Sequence, residues 1–184
     1  MSKSPRRIDV HHHYIPPDYG LFLREKGIRP GGIPLPRWAA PMASKVMAAN
    51  GVETAVVSVS TPGVWFGDVT EARHWARRVN EFGAALVADN PRGFGFFATL
   101  TLPDVDGALV EAAYALDVLK ADGIVLLANN AGIYLGDPAL RSCWPSSTNA
   151  APWSSSTPVS CPVSRSRGSP ASPRTSSSRP PAPC

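Results

Sequence analysis

The last 44 residues, 141–184, contain no aspartate or glutamate and no isoleucine, leucine, methionine, phenylalanine or tyrosine. A segment so short of apolar and acidic residues cannot build a packed core. Residues 1–140 contain no cysteine; the three in the chain are Cys143, Cys161 and Cys184. Their spacing matches no metal pattern and an odd count makes a poor disulfide framework, so neither a zinc knuckle nor secretion follows from them. No run approaches the roughly 18 apolar residues of a membrane span, and no apolar stretch follows Met1 as in a signal peptide. The expectation is a cytoplasmic chain. A Walker-type phosphate loop is absent too, because neither Gly132 nor Gly136 is followed by Lys-Ser or Lys-Thr.

What is present divides in two. The 184 residues carry a formal charge of +4, yet residues 1–140 hold 13 basic against 14 acidic residues while residues 141–184 hold five arginines, 14 serines and nine prolines. The length fits one ordinary domain, which places that domain in residues 1–140 and a disordered Ser/Pro/Arg-rich tail in residues 141–184.

Within the first part, short β-branched runs alternate with longer helical patterns, the mark of βα units around a parallel sheet. Arg7–His13 reads as the first strand. Pro16, Pro17 and residues 29–41 read as a long irregular connection, and residues 43–50 as a short helix closed by Gly51. Residues 52–60 (VETAVVSVS) form the second strand, leaving through Thr61-Pro62-Gly63. Asp68 then caps a long helix whose apolar positions Ala72, Trp75, Ala76, Val79, Phe82 and Leu86 recur at helical spacing. Residues 94–100 (FGFFATL) are the third strand, Asp104 opens a helix closing near Gly123, and residues 124–127 are the fourth strand. Four such steps make half of a barrel.

The chemistry concentrates at the end of the first strand, in Asp9-Val10-His11-His12-His13. Period-2 alternation puts His11 and His13 on one face and turns His12 to the other. Two imidazoles spaced i, i+2 can supply two nitrogens to one divalent metal. The same residues also fit a polar strand end without metal. His74 sits at the boundary of a helix face and reads as structural. Trp65 and Phe66 could line an aromatic pocket or pack a loop, Asn129 and Asn130 fit either substrate contact or a turn, and Ser58 and Ser60 have no paired base in the sequence.

Asp9-x-His11-x-His13-x-x-Pro16 followed by this βα series resembles the amidohydrolase superfamily, in the branch of aminocarboxymuconate-semialdehyde decarboxylase and related aromatic-acid decarboxylases. Supporting stretches are Ser58-Val59-Ser60-Thr61-Pro62-Gly63, Asn80-Glu81-Phe82, residues 93–100 and residues 122–127 leading into Tyr134-Leu135-Gly136-Asp137-Pro138. The resemblance implies the N-terminal half of a TIM (β/α)8 barrel, truncated here. It implies a mononuclear divalent metal, most often zinc, held by His11 and His13 together with a later histidine and aspartate. Asp9 is then a supporting group, while Asn129, by its place after the fourth strand, is a candidate on the substrate side beside its reading as a turn residue. It also implies a small carboxylic-acid substrate, no nucleic-acid or membrane partner, and homo-oligomers among intact relatives.

After Leu140 a barrel of this kind should continue into a fifth strand ending in His-Pro, whereas the composition changes within one residue. Regrouping the codons by one base forces Leu across Cys143/Trp144 and Ala across Trp144/Pro145, and permits VLLAELDERGAVVVVHP over residues 141–158. This is a helix, a glycine stop, a buried strand and His-Pro. The sequence therefore suggests a one-nucleotide shift near residue 140, with the missing histidine spanning the codons of Ser156 and Thr157. Three functions compete on these grounds: a metal-dependent decarboxylase or C–N/C–O hydrolase, an inactive fragment, and RNA binding through the arginine tail. The last is the weakest, because those arginines lack interleaved aromatic residues.

Overall fold

The computed structural model describes residues 7–143. The elements run β1 (Arg7–His13), α1 (Pro17–Glu25), α2 (Ala40–Ala49), β2 (Val52–Ser58), α3 (Val69–Asp89), β3 (Phe94–Thr99), α4 (Val105–Asp117) and β4 (Gly123–Val125). A short hairpin of β5 (Asn129–Asn130) and β6 (Ile133–Tyr134) follows, and a 3-10 turn, Pro138–Cys143, comes last. The four long-range strands form one sheet in the order β1-β2-β3-β4, every pairing parallel. Sequential parallel strands joined by helices are half of a βα barrel, as the sequence pattern implies.

Local chemistry explains where the helices start. Asp68 accepts a hydrogen bond from the Glu71 backbone N–H (2.7 Å), and Asp104 accepts one from the Gly107 N–H (3.2 Å). Each supplies an acceptor that the first turn otherwise lacks. Gly51 closes α2 with φ of +65°.

Several boundaries depart from the sequence reading: α2 starts at Ala40 rather than residue 43 and β2 ends at Ser58 rather than residue 60, and three others have a visible cause. The connection after β1 contains the helix α1, because Pro17 sits at its first position, where a missing N–H is harmless, and Asp18 lies in its first turn. Helix α4 ends at Asp117, well before Gly123, and Lys120 carries the positive φ of the exit (+57°). Strand β4 keeps only three residues, since the chain turns into the unanticipated β5–β6 hairpin.

The core lies between the sheet and α3 and α4. All six β3 residues are buried, and α3 approaches so closely that a Cβ on Gly83 would meet the Phe96 ring at 2.8 Å. Behind this contact is a buried polar clamp. The Asn80 carboxamide accepts from the Thr99 N–H (2.8 Å) and donates to the Thr99 carbonyl (2.9 Å) and to Glu111 (2.9 Å). Arg77 donates to Glu111 in turn (3.0 Å). Packing continues through Leu140 and Cys143, both buried, so it passes the composition break by three residues. The rest of the expected tail lies outside the described residues.

Candidate metal centre at the end of strand β1

His11 and His13 come together as alternation requires: their ring centroids are 4.8 Å apart at an interplanar angle of 71°. They stand at the C-terminal end of β1, the end at which parallel βα barrels carry their chemistry. His13 is oriented from β2, its Nδ1 lying 3.2 Å from the Ser58 carbonyl. A carbonyl only accepts, so Nδ1 carries the proton and Nε2 keeps its lone pair. This carbonyl–imidazole arrangement is how metal-binding histidines are commonly oriented. Burial also holds the His13 pKa below its ordinary 6.5, against the raising effect of the Ser58 bond. The neutral ring therefore prevails at neutral pH.

The register between β1 and β2 shifts at two points, between Arg7 and Ile8 and between Asp9 and His12. At the second, Asp9 pairs with Ala55 and His12 with Val57, so three steps along β1 match two along β2, and the extra residue makes a bulge. Its effect is to bring the His12 Nδ1 within 3.1 Å of an Asp9 carboxylate oxygen, a contact that residues three apart cannot make in a regular strand. The other Asp9 oxygen accepts the His11 N–H (3.0 Å). Partial burial works to raise the Asp9 pKa, but these bonds outweigh it and hold the carboxyl below its ordinary value. Asp9 is thus engaged within the strand and shapes its end.

The fold also gives Ser58 a neighbour that the sequence does not reveal: its Oγ lies 3.3 Å from His13 Nδ1. Because that nitrogen carries its proton toward the Ser58 carbonyl, the pair does not form a nucleophile with its base. Asn129 is exposed, and its carboxamide oxygen accepts the Gly132 N–H (3.0 Å), closing the hairpin turn. His74 is exposed and edges onto Trp75 (5.2 Å), and Phe66 packs on Phe22 (5.2 Å). At the end of β3, the buried Thr99 hydroxyl has no hydrogen-bond partner among the described residues.

The histidine pair fits a divalent cation in its donor chemistry, with two imidazoles side by side and that of His13 fixed by a carbonyl. Among the described residues no group of three or more His, Cys, Asp or Glu completes a metal shell, so the pair is part of a site. No helix among them is long and apolar enough to cross a membrane.

Comparison with known proteins agrees with this architecture. The chain is 40% identical over 144 residues to the decarboxylase macB of Penicillium terrestre, covering 75% of this chain and 43% of that protein. It is 37% identical over 142 residues to a 6-methylsalicylic acid decarboxylase of Penicillium expansum, covering 75% and 44%. The chain therefore spans about two fifths of the length of these curated relatives. Among solved structures, an amidohydrolase superposes with a TM-score of 0.69 at 32% identity, over 72% of this chain and 44% of the other. A dihydroxybenzoic acid decarboxylase from Polaromonas, solved with manganese and 2-nitroresorcinol, shares the fold at a TM-score of 0.57 and 22% identity, over 76% and 45%. The amidohydrolase family model matches residues 8–148, which takes in the strand with the histidine pair and the whole parallel sheet: the chain belongs to the amidohydrolase family.

Proposed function

We propose that this chain is the N-terminal part of a metal-dependent decarboxylase acting on a small aromatic or unsaturated carboxylic acid, with His11 and His13 as two of the metal's ligands. The observation that carries this is the pair itself, 4.8 Å apart, with Nδ1 of His13 fixed by the Ser58 carbonyl. The decarboxylase names of the two relatives favour loss of carboxylate over hydrolysis. The manganese in the Polaromonas structure supports a divalent ion, and zinc is the finer assignment because imidazole ligands suit it.

When bound, such an ion would polarise a substrate oxygen and stabilise the charge left as carboxylate departs. The chain's own residues do the holding. Ser58 sets the ring of His13, Asp9 fixes the strand end through the His11 N–H and the His12 ring, and Asn129 shapes the loop after β4 on the substrate side. A catalytic zinc commonly uses three protein ligands. We assign the remaining ones to the sequence that a one-base shift after Leu140 would restore.

The test is to restore that frame, load the soluble protein with zinc or manganese, and assay small carboxylic acids together with amides and esters. Release of carbon dioxide is the expected result. Hydrolysis alone would move the protein to a C–N or C–O hydrolase, and neither activity would overturn the reading.

A further inference from the structure

The face of the sheet turned away from the helices is open at its margin. Phe96 turns toward α3, where a Cβ on Gly83 would meet its ring. Residues side by side in the register share a face, so Val57 and His12 turn the same way as Phe96. Ile8 lies beside Thr54, three residues before Val57, and therefore on the other face, as does His13 beside Ser58. This is the side that becomes the interior when a sheet of βα units closes, and in an eight-stranded barrel side chains fill that interior. Ile8 is nevertheless 66% exposed. Both margins of the sheet are open too: among the described strands β1 pairs only with β2 and β4 only with β3, all in parallel.

The rest of the chain does not have the composition to complete the ring. Four further parallel strands need buried apolar runs and backbone N–H donors, whereas residues 144–184 contain nine prolines and no isoleucine, leucine, methionine, phenylalanine or tyrosine. A second copy brings four strands of the right direction, with its own helices on the outside.

We propose that two copies of the 184-residue chain close into one eight-stranded parallel barrel, β4 of each beside β1 of the other, and that their two histidine pairs meet on one divalent cation at its mouth. A ring of two halves related by a two-fold axis uses the same contact twice and leaves no free edge. The two β1 strands then stand first and fifth in the ring, on opposite walls. His11 and His13 of each copy point inward at the same end, across an interior just wide enough for side chains to fill. Four imidazoles make a full tetrahedral set for zinc, which supplies what the pair lacks among the described residues. In the frame-restored protein the missing strands would belong to one chain; in the 184-residue chain the second copy takes their place. The shared cation rests on the reading of His11 and His13 as metal ligands, and the closure of the barrel does not.

Sedimentation equilibrium and native mass spectrometry of the full chain, with zinc and with EDTA, read the mass and the zinc count, and hydrogen exchange reads the two margins. The expected result is a dimer holding one zinc per two chains, with the amides of β4 and of residues 11–13 protected on both sides of their strands. Zinc should tighten the dimer by about tenfold or more, because it binds only the closed form. His11→Ala, an exchange at a partly buried position, and His13→Ala should each abolish that tightening while the dimer persists. A dimer with both margins protected but no bound zinc would keep the closure and remove the metal reading. A monomer, a ladder of larger assemblies, a dimer with one zinc in each chain, or protection of β1 without β4, as in a dimer joined β1 to β1, overturns the proposal.

Discussion

Strands β1 and β3 belong to one sheet and are built to opposite rules. Every residue of β3 is buried, and side chains from outside the ladder hold it at its middle and its C-terminal end: Asp122 accepts the Phe96 N–H (2.9 Å), and Asn80 takes both backbone groups of Thr99. Strand β1 pairs only with β2 among the described strands, exposes Ile8 and Val10, carries a bulge, and bears all three clustered histidines. Stability is thus concentrated in the middle of the sheet and chemistry at its margin. Buried hydrogen-bonded packing resists local opening, whereas a strand end with exposed side chains leaves room for ligands.

The comparison breaks first at the clamp. Asn80→Ala leaves the Thr99 N–H and carbonyl and the Glu111 carboxylate without their buried partner, and should cost about 3–5 kcal/mol in urea unfolding. Gly83→Ala should cost about 1–3 kcal/mol by the same measurement, because the new methyl runs into the Phe96 ring. At the margin, His12→Ala and His13→Ala should each change stability by no more than about 1 kcal/mol. They should separate on metal: His13→Ala loses the rise in melting temperature that zinc gives the parent chain, and His12→Ala retains it.

A smaller effect links α3 to α4. Arg73 hydrogen-bonds Asp104 and holds its carboxyl below the ordinary 3.8, outweighing the partial burial that would raise it. A depressed folded-state value stabilises above the unfolded value and loses that contribution as the pH falls through the folded one. Melting temperatures measured downward from pH 5 should therefore fall less steeply in Arg73→Ala than in the parent. Equal slopes would show that the pair contributes nothing.

Much of this was legible in the sequence because it depends on local rules. Asp68 and Asp104 announce their helices by cap chemistry, Gly51 marks the end of α2, and the histidine spacing gives the pairing of His11 with His13. The missed features depend on distant partners or on competing signals. Two prolines disguised α1, whose first position tolerates one of them. The bulge in β1 is visible only against the register of β2, and so is the contact between Asp9 and His12. The Ser58 carbonyl that orients His13 is 45 residues away in sequence.

The pairing of His11 and His13 around one cation is the centre of the account, and the four histidines of the chain make it directly measurable. In a zinc titration of the intact 184-residue chain followed by 15N side-chain NMR, the Nε2 resonances of His11 and His13 should shift together at the same zinc equivalents. His12, tied to Asp9, and His74, on the surface of α3, should keep theirs. Zinc shifting His12 or His74 first, or moving His11 without His13, would contradict the assignment.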